Sequence, residues 1–163
     1  MKKKFLIAAV IAAAAGSALH FLYDAWPNPL TALISPVNES VWEHLKLLFW
    51  PMLAAGFRLS RGTKERNALW GGVFAAELLM PLFLLGAYYL LGCGFGVTSL
   101  ALDIALYVAT MLLGFLAAYW IFKSKKLENA AGWLLLPVIL YGASLILFTF
   151  AAPPLAVFTP PAE

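Results

Sequence analysis

Five apolar stretches, each long enough to cross a lipid bilayer, constrain this chain more than any other feature. They cover residues 5–26, 39–59, 68–91, 99–122 and 130–151. The hydrocarbon core of a bilayer is about 30 Å thick, a distance that a helix covers with roughly 20 residues. A segment that faces lipid must satisfy its own backbone N–H and C=O groups, so each stretch is expected to be an α-helix. The predicted fold class is all-α: an integral membrane bundle of five transmembrane helices forming one domain over residues 1–152, followed by a Pro-rich external tail, 153–163. Composition points the same way. Of the 163 residues, 63% are hydrophobic and only 12% charged, whereas soluble domains carry about 25% charged residues. So few polar side chains could not coat a water-soluble fold of this size.

Orientation follows from lysine and arginine, which accumulate on the cytoplasmic side of a membrane. Lys2, Lys3 and Lys4 precede the first stretch, Arg58, Arg61, Lys64 and Arg66 surround the second link, and Lys123, Lys125 and Lys126 lie in the fourth. Five crossings put these ten basic residues, of 11 in the chain, on one side. The N-terminus is therefore expected inside, the C-terminus outside, and the location is the cytoplasmic membrane. One rival concerns the start: MKKKFLIAAVIAAAAGSA has the basic head, apolar middle and small-residue end of a signal peptide. Its apolar run continues to a spanning length, which favours an uncleaved helix. The single cysteine, Cys93, excludes an internal disulfide, and a net charge of +3 does not point to nucleic acid.

With that orientation, a rise of 1.5 Å per residue assigns depths. His20 and Asp24 fall near the outer end of the first helix, Glu39, Glu43 and His44 in the first two turns of the second, and Asp103 about one turn into the fourth. The exception is Glu77, about 13 Å in from the inner end of the third stretch and so near mid-membrane. Charged groups at such depths are costly and normally face a cavity or one another. The expected arrangement is a polar pocket open to the outside. The competing arrangement is a collar at the headgroups, with Lys46 extended toward the surface.

The richest part of this layer is SPVNESVWEHLKLLFWP, residues 35–51. Ser35 before Pro36 suits a helix N-cap, Asn38 offers a second cap, and Ser40-x-x-Glu43 has capping-box spacing. Capping does not require the second glutamate, His44 or Lys46. Histidines with carboxylates at i and i+4 can share a divalent metal such as zinc, although no HExxH signature is present. The candidate ligands are His20, Asp24, Glu39 and His44, with Glu43 as a general base and Asn38, Trp42, Lys46, Asp103 and Glu77 as further polar pocket residues. Pro51, Pro81 and Pro137 fall inside three of the stretches, where each removes a helix hydrogen bond. Gly114 and Ala118 have the spacing for close helix contact.

The pattern Asn38-Glu39-Ser40-x-Trp42-Glu43-His44-x-Lys46, preceded by His20-Phe21-x-Tyr23, resembles the hallmark of an uncharacterised family of small bacterial multi-pass membrane proteins. The resemblance extends through TFAAPP, residues 149–154. It implies that these residues form one unit and brings no activity with it. Three functions fit the residues. The first is a metal-dependent hydrolase or transferase acting on a lipid or envelope molecule. The second is a small oligomeric transporter or channel using Glu77 and Asp103 as protonatable stations. The third is a non-catalytic membrane assembly partner that docks through the outer motif.

Overall fold

Polar punctuation divides the apolar sequence into helices of very unequal length. The computed structural model describes residues 1–161, and these form α1 (Lys2–His20), α2 (Leu22–Ala25), α3 (Pro29–Ala32), α4 (Val41–His44), α5 (Lys46–Ser60), α6 (Arg66–Tyr89), α7 (Leu100–Ser124) and α8 (Ala131–Phe150). A π-helical turn, Leu90–Gly94, prolongs α6, and a 3-10 turn, Ala156–Phe158, lies in the tail. Residues 162–163 of the expected tail lie outside the described residues. The described residues contain no strand.

Four helical segments are long and apolar enough to cross a membrane: Lys2–Ala25, Arg66–Gly94, Leu100–Ser124 and Ala131–Phe150. Each coincides with a stretch expected from the sequence. The remaining stretch, 39–59, is different. Ser40 starts a short helix, its hydroxyl accepting from Glu43 N at 3.4 Å, and the helical run is interrupted at Leu45 before α5 begins. The 15 residues of α5 cover about 22 Å, less than a full hydrocarbon core, whereas the combined run Val41–Ser60 covers about 30 Å. Pro51, Pro81 and Pro137 lie inside α5, α6 and α8, as the sequence reading places them.

The short α5 is the most enclosed helix. It packs against α1, α6 and α7, and its Phe49 meets Tyr141 of α8 edge-on at 5.2 Å. Around it, α6 packs on α7 and α8, and α7 packs on α1. Leu45, Leu48 and Met52 of the central run join Leu69, Met111 and Leu145 in one continuous apolar core. The long helices turn large apolar side chains outward, among them Leu6, Val10, Leu82, Leu116, Leu140 and Leu147. Such continuous apolar faces suit lipid and not water.

Small residues set how closely the helices approach. A Cβ on Gly72 would lie 2.5 Å from the Ala118 carbonyl oxygen and 3.2 Å from Phe122 N. This is where α6 meets α7. At the basic end of the bundle, Lys125 closes α7 in the left-handed conformation, φ 55°, and its ammonium pairs with the Glu65 carboxylate. That hydrogen bond, with the attraction of the carboxylate, holds the Lys125 ammonium above its usual range.

The substitution Gly72→Ala is expected to force α6 from α7 and to lower stability by about 1–3 kcal/mol, the usual cost of overpacking. Gly86→Ala, on the same helix with nothing within 4 Å of the added carbon, is expected to be neutral or stabilising. Thermal unfolding of the two variants in detergent checks the contrast.

Candidate metal centre

The polar residues of the sequence motif meet where α1 ends and α4 begins, and most of them hold one loop in place. Two local turns shape that loop, which joins α2 to α4. Asn28 caps α3, its Oδ1 accepting from Leu30 N at 2.9 Å and Thr31 N at 3.2 Å. Asn38 then accepts Ser40 N at 2.9 Å, a side-chain turn typical of asparagine. Ser35 does not cap a helix as the sequence suggested. Its fully buried hydroxyl donates to Leu19 O at 2.6 Å and accepts Tyr23 N at 3.0 Å, bridging the loop to the end of α1. The helix starts five residues later because Ser40 provides the cap.

Beneath the loop lies an ion pair sealed from solvent. Lys46 Nζ donates to Glu43 Oε2 at 2.7 Å, to Ala32 O at 2.8 Å and to Ser35 O at 3.3 Å. Glu43 Oε2 also accepts Val37 N at 2.9 Å, and Oε1 accepts Thr149 Oγ1 at 2.9 Å from α8. Lys46 is fully buried and Glu43 nearly so, so the competing collar arrangement, with Lys46 extended toward a headgroup surface, is not what the chain adopts. Trp50 Nε1 adds a bond to Leu33 O at 3.0 Å. Thus Lys46 and Trp50, one turn apart, hold three carbonyls within residues 32–35, with Thr149 bracing the carboxylate from another helix. Trp42 packs on Phe158 at 4.9 Å and on Phe148 at 5.5 Å, which seats the tail on α4.

Above the pair, three of the predicted metal ligands converge. One ligand atom from each of His20, Glu39 and His44 lies within 4.8 Å of the other two. His44 Nε2 is 3.4 Å from Glu39 Oε2, and His20 Nε2 is 3.9 Å from Glu39 Oε1. These separations are long for hydrogen bonds. The shorter is close to the roughly 3.3 Å between two ligands that each sit about 2 Å from one tetrahedral ion. His44 Nδ1 lies 2.8 Å from Ser40 O. A carbonyl can only accept, so Nδ1 carries a proton, and in the neutral ring the lone pair is on Nε2. Metal-bound histidines are commonly oriented in this way. His20 Nδ1 is buried without a hydrogen-bond partner among the described residues. Both imidazoles are partly exposed, at 28% and 30%, and Glu39 is mostly exposed at 66%, so the group is open on one side.

The other candidates are distributed differently. Asp24 is exposed on α2 and does not join the three-residue group. Asp103, in the first turn of α7, is exposed and within electrostatic reach of His44. Glu43 has both carboxylate oxygens engaged and faces the loop. Glu77 is buried in the middle of α6, away from this end. Thr149 and Ser35 matter to the arrangement although neither was a candidate site residue. Their only sequence signals were membership of the TFAAPP stretch and an apparent cap.

Replacing Lys46 by methionine is expected to leave Glu43 buried without its cation and to cost about 3–5 kcal/mol, as removing one partner of a buried pair does. The double change Glu43→Gln with Lys46→Met should cost less than Lys46→Met alone. Thermal unfolding of the three proteins in one detergent tests this, and an unaltered Lys46→Met protein would remove the pair from the account.

The model of a family of unknown function, DUF6512, matches residues 1–162. The chain belongs to that family. No curated protein and no solved structure matches it.

Proposed function

We propose that this member of a family without an assigned activity is a metal-dependent hydrolase or transferase of the cytoplasmic membrane that acts on a lipid or envelope molecule. Its chain crosses the membrane five times, with Val41–Ser60 as the second crossing, the N-terminus inside and the metal centre at the outer surface. The basic residues support this orientation, since all but Lys46 lie at the opposite ends of the helices. Lys46 is neutralised internally by Glu43 and so needs no aqueous side.

One observation carries the reading: two imidazoles and one carboxylate, from α1 and from the α3–α4 loop with α4, converge within 4.8 Å on an open side of the protein. Two histidines and a glutamate with a free fourth position form a donor set used by catalytic zinc sites, whereas structural zinc sites are closed by four ligands. A divalent ion there would polarise a carbonyl or phosphoryl oxygen and lower the pKa of bound water. Glu39 and the Nε2 atoms of His20 and His44 would hold it, and Ser40 O would fix the His44 tautomer. Asp24, a ligand in the sequence reading, would instead stand beside the site as an exposed carboxylate. Glu43 is proposed as a positioning residue that holds the loop, because its oxygens are already engaged. Asp103 is the exposed carboxylate near His44 and the better candidate for moving a proton.

Purified protein exposed to zinc and desalted should retain close to one ion per chain by elemental analysis. His44→Ala and His20→Ala should each lower metal affinity at least tenfold while the helical circular dichroism is retained. Absence of stoichiometric metal, or metal content indifferent to both histidines, would end the metalloenzyme reading.

A further inference from the structure

A second polar feature lies in the middle of the bundle, remote from the metal centre. Glu77 stands 11 residues from the start of α6, about 17 Å along a helix of 24 residues. It is 1% exposed, and its Oε1 has no hydrogen-bond partner among the described residues. The Tyr141 hydroxyl of α8 is likewise buried without a partner, and it lies within electrostatic reach of Glu77. The helices that carry them pack together. Phe49 of α5 fixes the Tyr141 ring edge-on at 5.2 Å. Four residues after Glu77 the chain has Pro81, which has no N–H to donate, so the Glu77 carbonyl also lacks its helical donor.

The charged and titratable groups on the packed helices are engaged elsewhere or stand near their ends. On α5, Lys46 is closed on Glu43 and Arg58 lies in the last turn. On α7, Asp103 and Lys123 lie in the first and last turns, Tyr107 donates to Ala13 O at 2.9 Å, and Tyr119 packs against Phe5. On α8, Tyr141 is the titratable group. Arg66, Tyr88 and Tyr89 lie at the ends of α6 itself. None of these supplies a cation to a carboxylate at the level of Glu77. An ionisable side chain in such a position normally belongs to an ion or proton pathway.

We propose that Glu77 and Tyr141 form a proton-binding site in the centre of the bundle. The Glu77 carboxyl holds an exchangeable proton, and the Tyr141 hydroxyl, buried without a partner of its own on the neighbouring helix, is the polar group that senses it. This gives the protein a function that the metal centre does not explain, and it stands whether or not a metal binds.

The test uses the full chain in detergent or liposomes. A neutral, apolar carbodiimide reacts with a protonated carboxyl in an apolar site. The acid O–H adds across a C=N bond, the proton passing to nitrogen and the carboxyl oxygen bonding to the central carbon. The O-acylisourea then rearranges by acyl shift to a stable N-acylurea, with no change of oxidation state. Peptide mapping should place an adduct on Glu77 in the folded protein, and the neutral, nearly isosteric Glu77→Gln should lose it. Infrared spectroscopy should find a protonated-carboxyl C=O band that shifts within minutes of transfer to D2O, is absent from Glu77→Gln and changes frequency in Tyr141→Phe. Lack of such a band, or a band that persists unshifted in D2O for hours, would overturn the exchangeable site whatever the carbodiimide result. A Tyr141→Phe spectrum identical to wild type would overturn the pairing.

Discussion

An ammonium group shut away from water must be surrounded by acceptors, and in this protein that requirement organises one end of the bundle. Lys46 lies at the start of the most enclosed helix, with no exposed surface. Burying it costs several kcal/mol unless charge and hydrogen bonds compensate. Glu43 provides the charge, one turn earlier, and the carbonyls of Ala32 and Ser35 provide the remaining acceptors. The loop cannot leave without stranding the lysine. The carboxylate in turn holds Val37 N and Thr149, so α8 is tied to the same point. A short polar stretch in an apolar chain is thus a clamp whose parts are each other's solvent.

The clamp gives the candidate metal centre its geometry. His20 ends α1, and Ser35 bonds to the backbone on either side of it, at Leu19 and Tyr23. The same loop then turns at Asn38 and Ser40 and presents Glu39 between two imidazoles. His44 belongs to the short helix that also carries Glu43, with Ser40 both capping that helix and orienting the ring. Proteins place binding groups on loops held by rigid elements. In this case the rigid element is the sealed ion pair, and the exposed candidate ligand, Glu39, sits inside the turn that Asn38 makes with Ser40.

Much of this was legible in the sequence, but unevenly. Hydropathy and length located the four long helices, because lipid demands continuous apolar runs closed by internal hydrogen bonds. The depth argument grouped His20, Glu39 and His44, since a helix converts residue number directly into distance. It grouped Asp24, Glu43 and Asp103 with them as well, because depth along a helix leaves open which way a side chain faces. The conformation of residues 27–38 was not legible. That segment has no periodicity, and beyond its local turns it is placed by long-range bonds from Ser35, Lys46 and Trp50 to backbone atoms. For the same reason, Ser35 read as a cap. The break at Leu45 was not legible either, because hydropathy treats residues 39–59 as one continuous stretch.

The central claim is that His20, Glu39 and His44 bind one divalent ion between them. X-ray absorption at the zinc edge on the purified, zinc-loaded protein addresses the ligands directly. The account predicts a four-coordinate shell of nitrogen and oxygen at about 2.0–2.1 Å, with the outer-shell scattering of two imidazoles, reduced to one imidazole in His44→Ala. A shell without imidazole scattering, or one unaltered by that substitution, would contradict it.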